Sequence, residues 1–196
     1  MRQTDQRGHS PTGWDRLRLL SLVAALVLSL GVASLGSTEA ARLPFAVSYA
    51  GEAEPGAFAA AVVAPDGWGV LLVRKGGFAV ARLAGAAMVE HKIGQRHVQG
   101  RTKAGGQSQQ RFARRRDNQA RQAYEAAADH AARILGGVPV ASTGGDHVAV
   151  DAVLTDPRLV ALTVVEPWLA VPDPRRAVLD AAIADTQAIR VDVTNA

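Results

Sequence analysis

The stretch "WGVLLVRKGGFAVARLAGAAMVEHKI", residues 68–93, decides the fold. It holds three apolar runs rich in β-branched residues, separated by short turns at Lys75-Gly76-Gly77 and Ala84-Gly85. Consecutive strands joined by tight turns pair in antiparallel fashion. The stretch therefore predicts an antiparallel three-strand meander.

Downstream of the meander, helical and strand patterns alternate. A long helix is expected from Gln109, with Ser108 as its N-cap, to the glycine pair at 136–137, because apolar residues recur there every three or four positions. The remaining expected elements are a strand at 138–142, a helix at 147–154 capped by Asp146, a strand within 159–171 and a helix over 174–188. The order βββαβαβα predicts an α/β domain with a mixed sheet, compatible with an RNase H-like fold.

The first 66 residues differ from this α/β part. Residues 1–37 join a polar tail to an apolar run, Leu19–Leu35, which is compatible with a signal sequence, a short membrane anchor or a buried helix. Residues 38–66 are interpreted as a connector with one short strand at 45–49. The main domain is expected over residues 67–196.

Positive charge is concentrated in one part of the chain. The net charge of the 196 residues is only +4, yet nine Lys or Arg and a single acid, Asp117, lie between Lys92 and Arg121. Such a local excess favours a polyanionic partner.

Several kinds of chemistry do not fit the sequence. The chain has no cysteine, and its five histidines lack metal-ligand spacing, so no metal or cofactor is expected. A magnesium-dependent nuclease needs carboxylates on its early strands, and Glu90 stands alone there. A Walker phosphate loop and the G-x-S-x-G elbow of a serine hydrolase are both absent from the sequence.

The segment "HVQGRTKAGGQSQQRFARRRDNQA", residues 97–120, combines glycines, glutamines and arginines. Gly105 and Gly106 give the tip of an expected long loop the freedom to approach a crowded surface. The flanking cations can neutralise phosphates, and they are Arg101, Lys103, Arg111, Arg114, Arg115 and Arg116. A glutamine on RNA could position a water molecule or support an oxyanion, but a basic loop that binds nucleic acid by charge alone fits as well.

The motif "GRTKAGGQSQQRFARRRDNQA" resembles the Vms-like release factor family, particularly its actinobacterial branch. That family is related to the central domain of eukaryotic and archaeal class-1 peptide-chain release factors. The resemblance spans roughly residues 68–188, is strongest over 94–132, and includes the strands "LLVRKGGFAV" and the turns "DPRL" and "VPDPRR".

The resemblance implies an RNase H-like domain that carries a glutamine loop into the peptidyl transferase centre of the large ribosomal subunit. It implies hydrolysis of peptidyl-tRNA without a metal or cofactor, with tRNA and rRNA as partners, in the cytoplasm. The G-G-Q motif nominates Gln107 and the G-x-x-Q motif nominates Gln109, of which Gln109 is preferred. The rival hypotheses are a non-catalytic RNA-binding or ribosome-binding module, and a protein exported or membrane-anchored through residues 19–35.

Overall fold

Seven strands and four α-helices are present in the residues that the structure describes, 38–51, 54–95 and 107–194, in a computed structural model. The strands are β1 (Thr38–Arg42), β2 (Trp68–Arg74), β3 (Gly77–Ala84), β4 (Ala87–Gln95), β5 (Val140–Gly145), β6 (Thr163–Leu169) and β7 (Arg190–Thr194). The helices are α1 (Pro55–Ala60), α2 (Gln107–Leu135), α3 (His147–Leu154) and α4 (Arg176–Thr186).

The elements fall into two units. The larger unit comprises residues 44–47 and 63–188 and contains β2 to β6 with helices α2 to α4. The smaller unit contains α1 and an antiparallel two-stranded sheet of β1 and β7. In that small sheet, Arg42 and Asp192 form an ion pair.

A five-stranded mixed sheet of order β4-β3-β2-β5-β6 forms the centre of the larger unit. The pairs β2–β3 and β3–β4 are antiparallel, whereas β2–β5 and β5–β6 are parallel. Only β3 of these five strands therefore runs against the others. The predicted meander, the mixed α/β class and the order of its elements are confirmed.

Both faces of the sheet are covered, which explains why β2 is an almost unbroken apolar run. Leu71 and Val73 of β2 point to one face, where they join a core with buried residues of α2 and α3. Trp68, Val70 and Leu72 alternate to the other face and pack in a core that includes α4. The result is a sheet between two helical layers.

Helix α2 is longer than the sequence pattern indicates. It begins at Gln107, so Ser108 lies inside the first turn and the prediction of Ser108 as N-cap is wrong. Four polar residues, 107–110, follow one another there, and local propensity alone does not choose which of them starts the helix. At the other end, the helix stops at Leu135 as predicted, and Gly137 adopts a positive φ of 81°.

The strand expected at 45–49 does not form, because residues 44–46 make a 3₁₀ turn instead. Within this turn, Phe45 has a left-handed φ of 59° and packs edge-on against Trp68, with ring centroids 4.9 Å apart. The aromatic ring is thus buried by a bend rather than by a strand. The connector also holds β1 and α1, which the sequence pattern did not indicate.

The apolar run at 19–35 lies outside the described residues. Among the residues that are described, no helix is both long and apolar enough to span a bilayer.

Trp68 anchors the α4 side of the core. Its side chain is fully buried, and its indole N–H donates a hydrogen bond of 2.8 Å to the Gly85 carbonyl. We expect Trp68→Phe to lower the free energy of unfolding by about 1–2 kcal/mol, because it removes that bond and leaves a gap. Urea unfolding followed by far-ultraviolet circular dichroism measures this, with Trp168→Phe, at a half-buried position, as the milder control. Equal unfolding midpoints for Trp68→Phe and wild type would contradict the assignment.

Candidate nucleic-acid interface

The segment that joins β4 to α2 begins at one end of the sheet, which is called the carboxyl end below. Strands β2, β4, β5 and β6 all run toward this end, because only β3 is reversed. Residues 96–106 connect β4 to α2, so α2 starts on the carboxyl side and returns along the sheet to Leu135. The Leu135 side chain packs against Gly69, which lies near the start of β2.

Helix α2 extends well past the carboxyl end. His130 stacks on Phe78, near the start of β3, with ring centroids 5.5 Å apart. Further toward the N-terminus of α2, Tyr124 has a raised pKa because of burial and, secondarily, because of the nearby Asp146 carboxylate just beyond β5. About 25 Å of helix precedes Tyr124, since each residue adds about 1.5 Å. Of the described side chains of α2, the first that is buried in the core is Ala127.

The proposed site residues divide into two groups. Four of them, Arg101, Lys103, Gly105 and Gly106, lie outside the described residues. The other six fall in the first part of α2, of which the structure describes the backbone, and these are Gln107, Gln109, Arg111, Arg114, Arg115 and Arg116. The sequence pattern had placed the two glutamines at the boundary between loop and helix, and both positions are helical.

The two glutamine positions lie on opposite sides of α2. Successive residues advance about 100° around a helix, so positions 107 and 109 are separated by about 200°. Position 107 falls on the side that carries positions 111, 114 and 115. Position 109 falls in line with buried residues further down the helix, such as Ala127 and Ala131. Positions 107 and 109 therefore face different directions around the helix axis.

An ion-pair cluster ties α2 to the edge strand β4. Glu90 of β4 pairs with Arg133 of α2, and its second carboxylate oxygen lies 3.8 Å from Arg82 of β3. Glu90 is thus engaged by two guanidinium groups, which leaves it poorly suited to hold a cation. In the described parts of the chain, no three His, Asp or Glu side chains are grouped to share a metal ion.

A second cluster fixes the turn after α3 to α2. Arg158 donates to both carboxylate oxygens of Asp156, at 2.9 and 2.6 Å, and to Asp129 of α2 at 2.6 Å. The side-chain hydrogen bond from Arg158, followed by that from its backbone N–H, lowers the pKa of Asp156 to about 2. The same contacts raise the pKa of Arg158. Together the two clusters tie the C-terminal half of α2 to β4 and to the turn after α3.

The depressed pKa of Asp156 gives a pH dependence. Its ionised form is favoured in the folded state, so its contribution to stability is complete above the unfolded pKa, about 4, and is lost as the pH falls toward about 2. We expect the stability difference between wild type and Asp156→Asn to shrink over that window, measured by urea unfolding at a series of pH values. Asp185 forms no ion pair with a described residue, so Asp185→Asn is the control. A difference that grows toward low pH would show that the carboxylate is not held in its charged form.

Sequence reasoning missed both clusters. It treated Glu90 only as an isolated carboxylate, since its partner Arg133 lies far along the chain and only the antiparallel return of α2 brings them together. The signal that was available is the "DPRL" turn, which contains Asp156 and Arg158. One expectation about this part of the chain is confirmed: Asp146 caps α3 by accepting a hydrogen bond of 3.1 Å from the Val148 N–H.

Comparison with protein families decides what kind of protein this is. A family model described as Actinobacteria/chloroflexi VLRF1 release factor matches residues 66–192, which is most of the chain. The chain belongs to this family. The resemblance read from the glutamine loop is thereby confirmed. No curated protein sequence matches the chain.

Membership of the VLRF1 release factor family bears on the role of helix α2. The matched residues include all five strands of the central sheet and helices α2 to α4. A release factor family acts in translation termination or rescue and interacts with the ribosome. The matched region also includes the basic segment of α2, residues 111–116.

Proposed function

We propose that this VLRF1 family member is a peptidyl-tRNA hydrolase that acts on ribosomal complexes in the cytoplasm. The observation that carries the proposal is that the G-G-Q and G-x-x-Q motifs coincide with the start of a helix that extends about 25 Å beyond Tyr124. A helical segment of that length can enter a narrow RNA-lined site while the folded core remains outside. The peptidyl transferase centre of the large subunit is the proposed destination.

The fold supports the same proposal. Numbered within the central sheet, the strand order is 3-2-1-4-5, with the second strand antiparallel to the rest. We assign this arrangement to the RNase H-like class implied by the release factor resemblance. Glu90 is the one carboxylate on the first three strands of this sheet, and it is paired with Arg133 and Arg82. The ester of peptidyl-tRNA, rather than a phosphodiester, is therefore the proposed substrate.

In the proposed reaction, water attacks the carbonyl carbon of the ester that joins the peptide to the tRNA. The carbon–oxygen bond to the ribose breaks, the ribose oxygen gains a proton, and the peptide leaves as a carboxylic acid. The amide of Gln109 can accept from the attacking water and donate to a neighbouring oxygen, which suits it to position the nucleophile or stabilise the oxyanion. The N-terminus of α2 adds the positive end of its dipole.

The basic residues are proposed to bind RNA. Arg111, Arg114 and Arg115 share one side of α2, and Arg116 lies on the other side. In the sequence, two further cations, Arg101 and Lys103, precede the glycines at 105 and 106. We propose that these cations bind phosphates of rRNA and of the tRNA acceptor stem.

The test is release of labelled peptide from purified ribosome–peptidyl-tRNA complexes by the wild-type protein. We expect release well above the spontaneous rate. Binding without any release would instead support the rival hypothesis, an RNA-binding module that lacks catalysis.

A further inference from the structure

A second basic surface lies at the carboxyl end of the sheet. It is formed where the turn between β2 and β3 meets the segment that links β6 to α4. The segment contains "VPDPRR", residues 171–176, one of the motifs shared with the release factor family, and nothing in the proposed chemistry uses it.

Two contacts hold these segments together. Arg74, at the end of β2, donates a hydrogen bond of 2.7 Å to the Val171 carbonyl and lies 3.7 Å from the Asp173 carboxylate. A Cβ added at Gly76 would lie 3.4 Å from the same carboxylate, so the turn lies directly against Asp173. Lys75 precedes Gly76 and Arg175 follows Asp173 by two residues. The structure thus brings two distant parts of the chain into contact, and each part carries one exposed cation close in sequence to the contact.

The cations of this surface are not equivalent. Arg74 is engaged by Val171 and Asp173, and Arg176 contacts Asp180 at 2.9 Å and His91 at 3.2 Å. Lys75 and Arg175 are exposed, and neither forms an ion pair with any residue that the structure describes. Arg175 is the N-cap residue of α4 but makes no side-chain capping bond. The acid at this junction is thus already neutralised, while two cations are left for a partner.

Resting on the proposed function, we infer that Lys75 and Arg175 form a second RNA contact that binds phosphates of the large-subunit rRNA while α2 reaches toward the ester. Two exposed cations on contacting segments suit the repeating charges of an RNA backbone. Their place at the base of the extended helix favours rRNA, because the tip of that helix is assigned to the acceptor end of the tRNA. The contact would set the depth and angle at which α2 enters.

The experiment measures binding of the full chain to vacant large ribosomal subunits over a series of salt concentrations. We expect the double variant Lys75→Gln with Arg175→Gln to make the dependence of log affinity on log salt shallower by almost two, with binding about tenfold weaker at moderate salt. Lys75→Arg with Arg175→Lys keeps both charges and should bind like wild type. Arg190 is an exposed cation of the β1–β7 sheet. The variant Arg190→Gln is therefore the matched control for Arg175→Gln, with each measured as a single substitution.

Two outcomes would overturn the inference. One is an unchanged salt dependence for the double glutamine variant. The other is a change seen only on subunits that carry peptidyl-tRNA, which would transfer the contact to the tRNA. Release of peptide by the wild-type protein is measured separately, so failure of this inference is distinguishable from failure of the hydrolase proposal.

Discussion

Replacing Gln109 by alanine is expected to slow peptide release by about 100- to 1,000-fold, the usual effect of losing one group that stabilises a transition state of acyl transfer. Binding to the ribosomal complex should stay within about twofold of wild type, because the glutamine is uncharged and the arginines remain. Alanine is also the better helix former, so the start of α2 is not weakened by the change. Single-turnover release from complexes saturated with protein measures the chemical step by itself.

Two neighbouring glutamines provide matched controls. Gln110→Ala changes the same side chain one position along α2 and should release peptide at close to the wild-type rate. Gln107→Ala tests the alternative motif, and we expect it to retain release within about tenfold, since position 107 lies about 200° from position 109 around the helix. A fast Gln109→Ala variant beside an inactive Gln107→Ala variant would show that the G-G-Q motif supplies the catalytic residue.

Neutralising the three consecutive arginines should produce the largest decrease in binding. We expect Arg114→Gln, Arg115→Gln and Arg116→Gln, combined, to weaken ribosome binding by about 100-fold or more at moderate salt. The slope of log affinity against log salt should become shallower by up to about three, roughly one unit for each phosphate that the protein no longer neutralises. Sedimentation of the protein with ribosomes at several salt concentrations gives both quantities.

The matched control for this triple variant replaces the same three arginines with lysine. Because lysine keeps the charge but not the planar guanidinium group, we expect it to retain most of the salt dependence with a smaller decrease in affinity. If the triple glutamine variant binds with an unchanged salt slope, the basic part of α2 does not contact phosphates, and docking must be assigned to other residues.

Much of the central sheet could be predicted because its signals are local. The runs at 68–74 and 77–84 are separated by a glycine turn, and each run is long and apolar enough to specify a strand without knowledge of its partners. The stop of α2 at Gly136-Gly137 and the start of α3 at Asp146 follow equally from single residues with known capping behaviour. The family resemblance of the glutamine segment was likewise carried by a short continuous motif.

The features that escaped prediction depend on long-range contacts. Strands β1 and β7 pair with each other across most of the chain, so neither is specified by its own sequence. The bend at Phe45 forms because its ring packs on Trp68, which overrides the strand pattern of residues 45–49. The ion pair of Glu90 with Arg133 and the contacts of Arg74 with Val171 and Asp173 require the sheet to be assembled first.

The activity proposed for this release factor family member is hydrolysis of the ester of peptidyl-tRNA. The most direct measurement is product analysis after single-turnover reaction on large subunits carrying peptidyl-tRNA, carried out in water labelled with oxygen-18. We predict one labelled oxygen in the carboxyl group of the released peptide and a full-length tRNA with an intact 3′ end. An unlabelled peptide, or a tRNA shortened at its 3′ end, would contradict the claim.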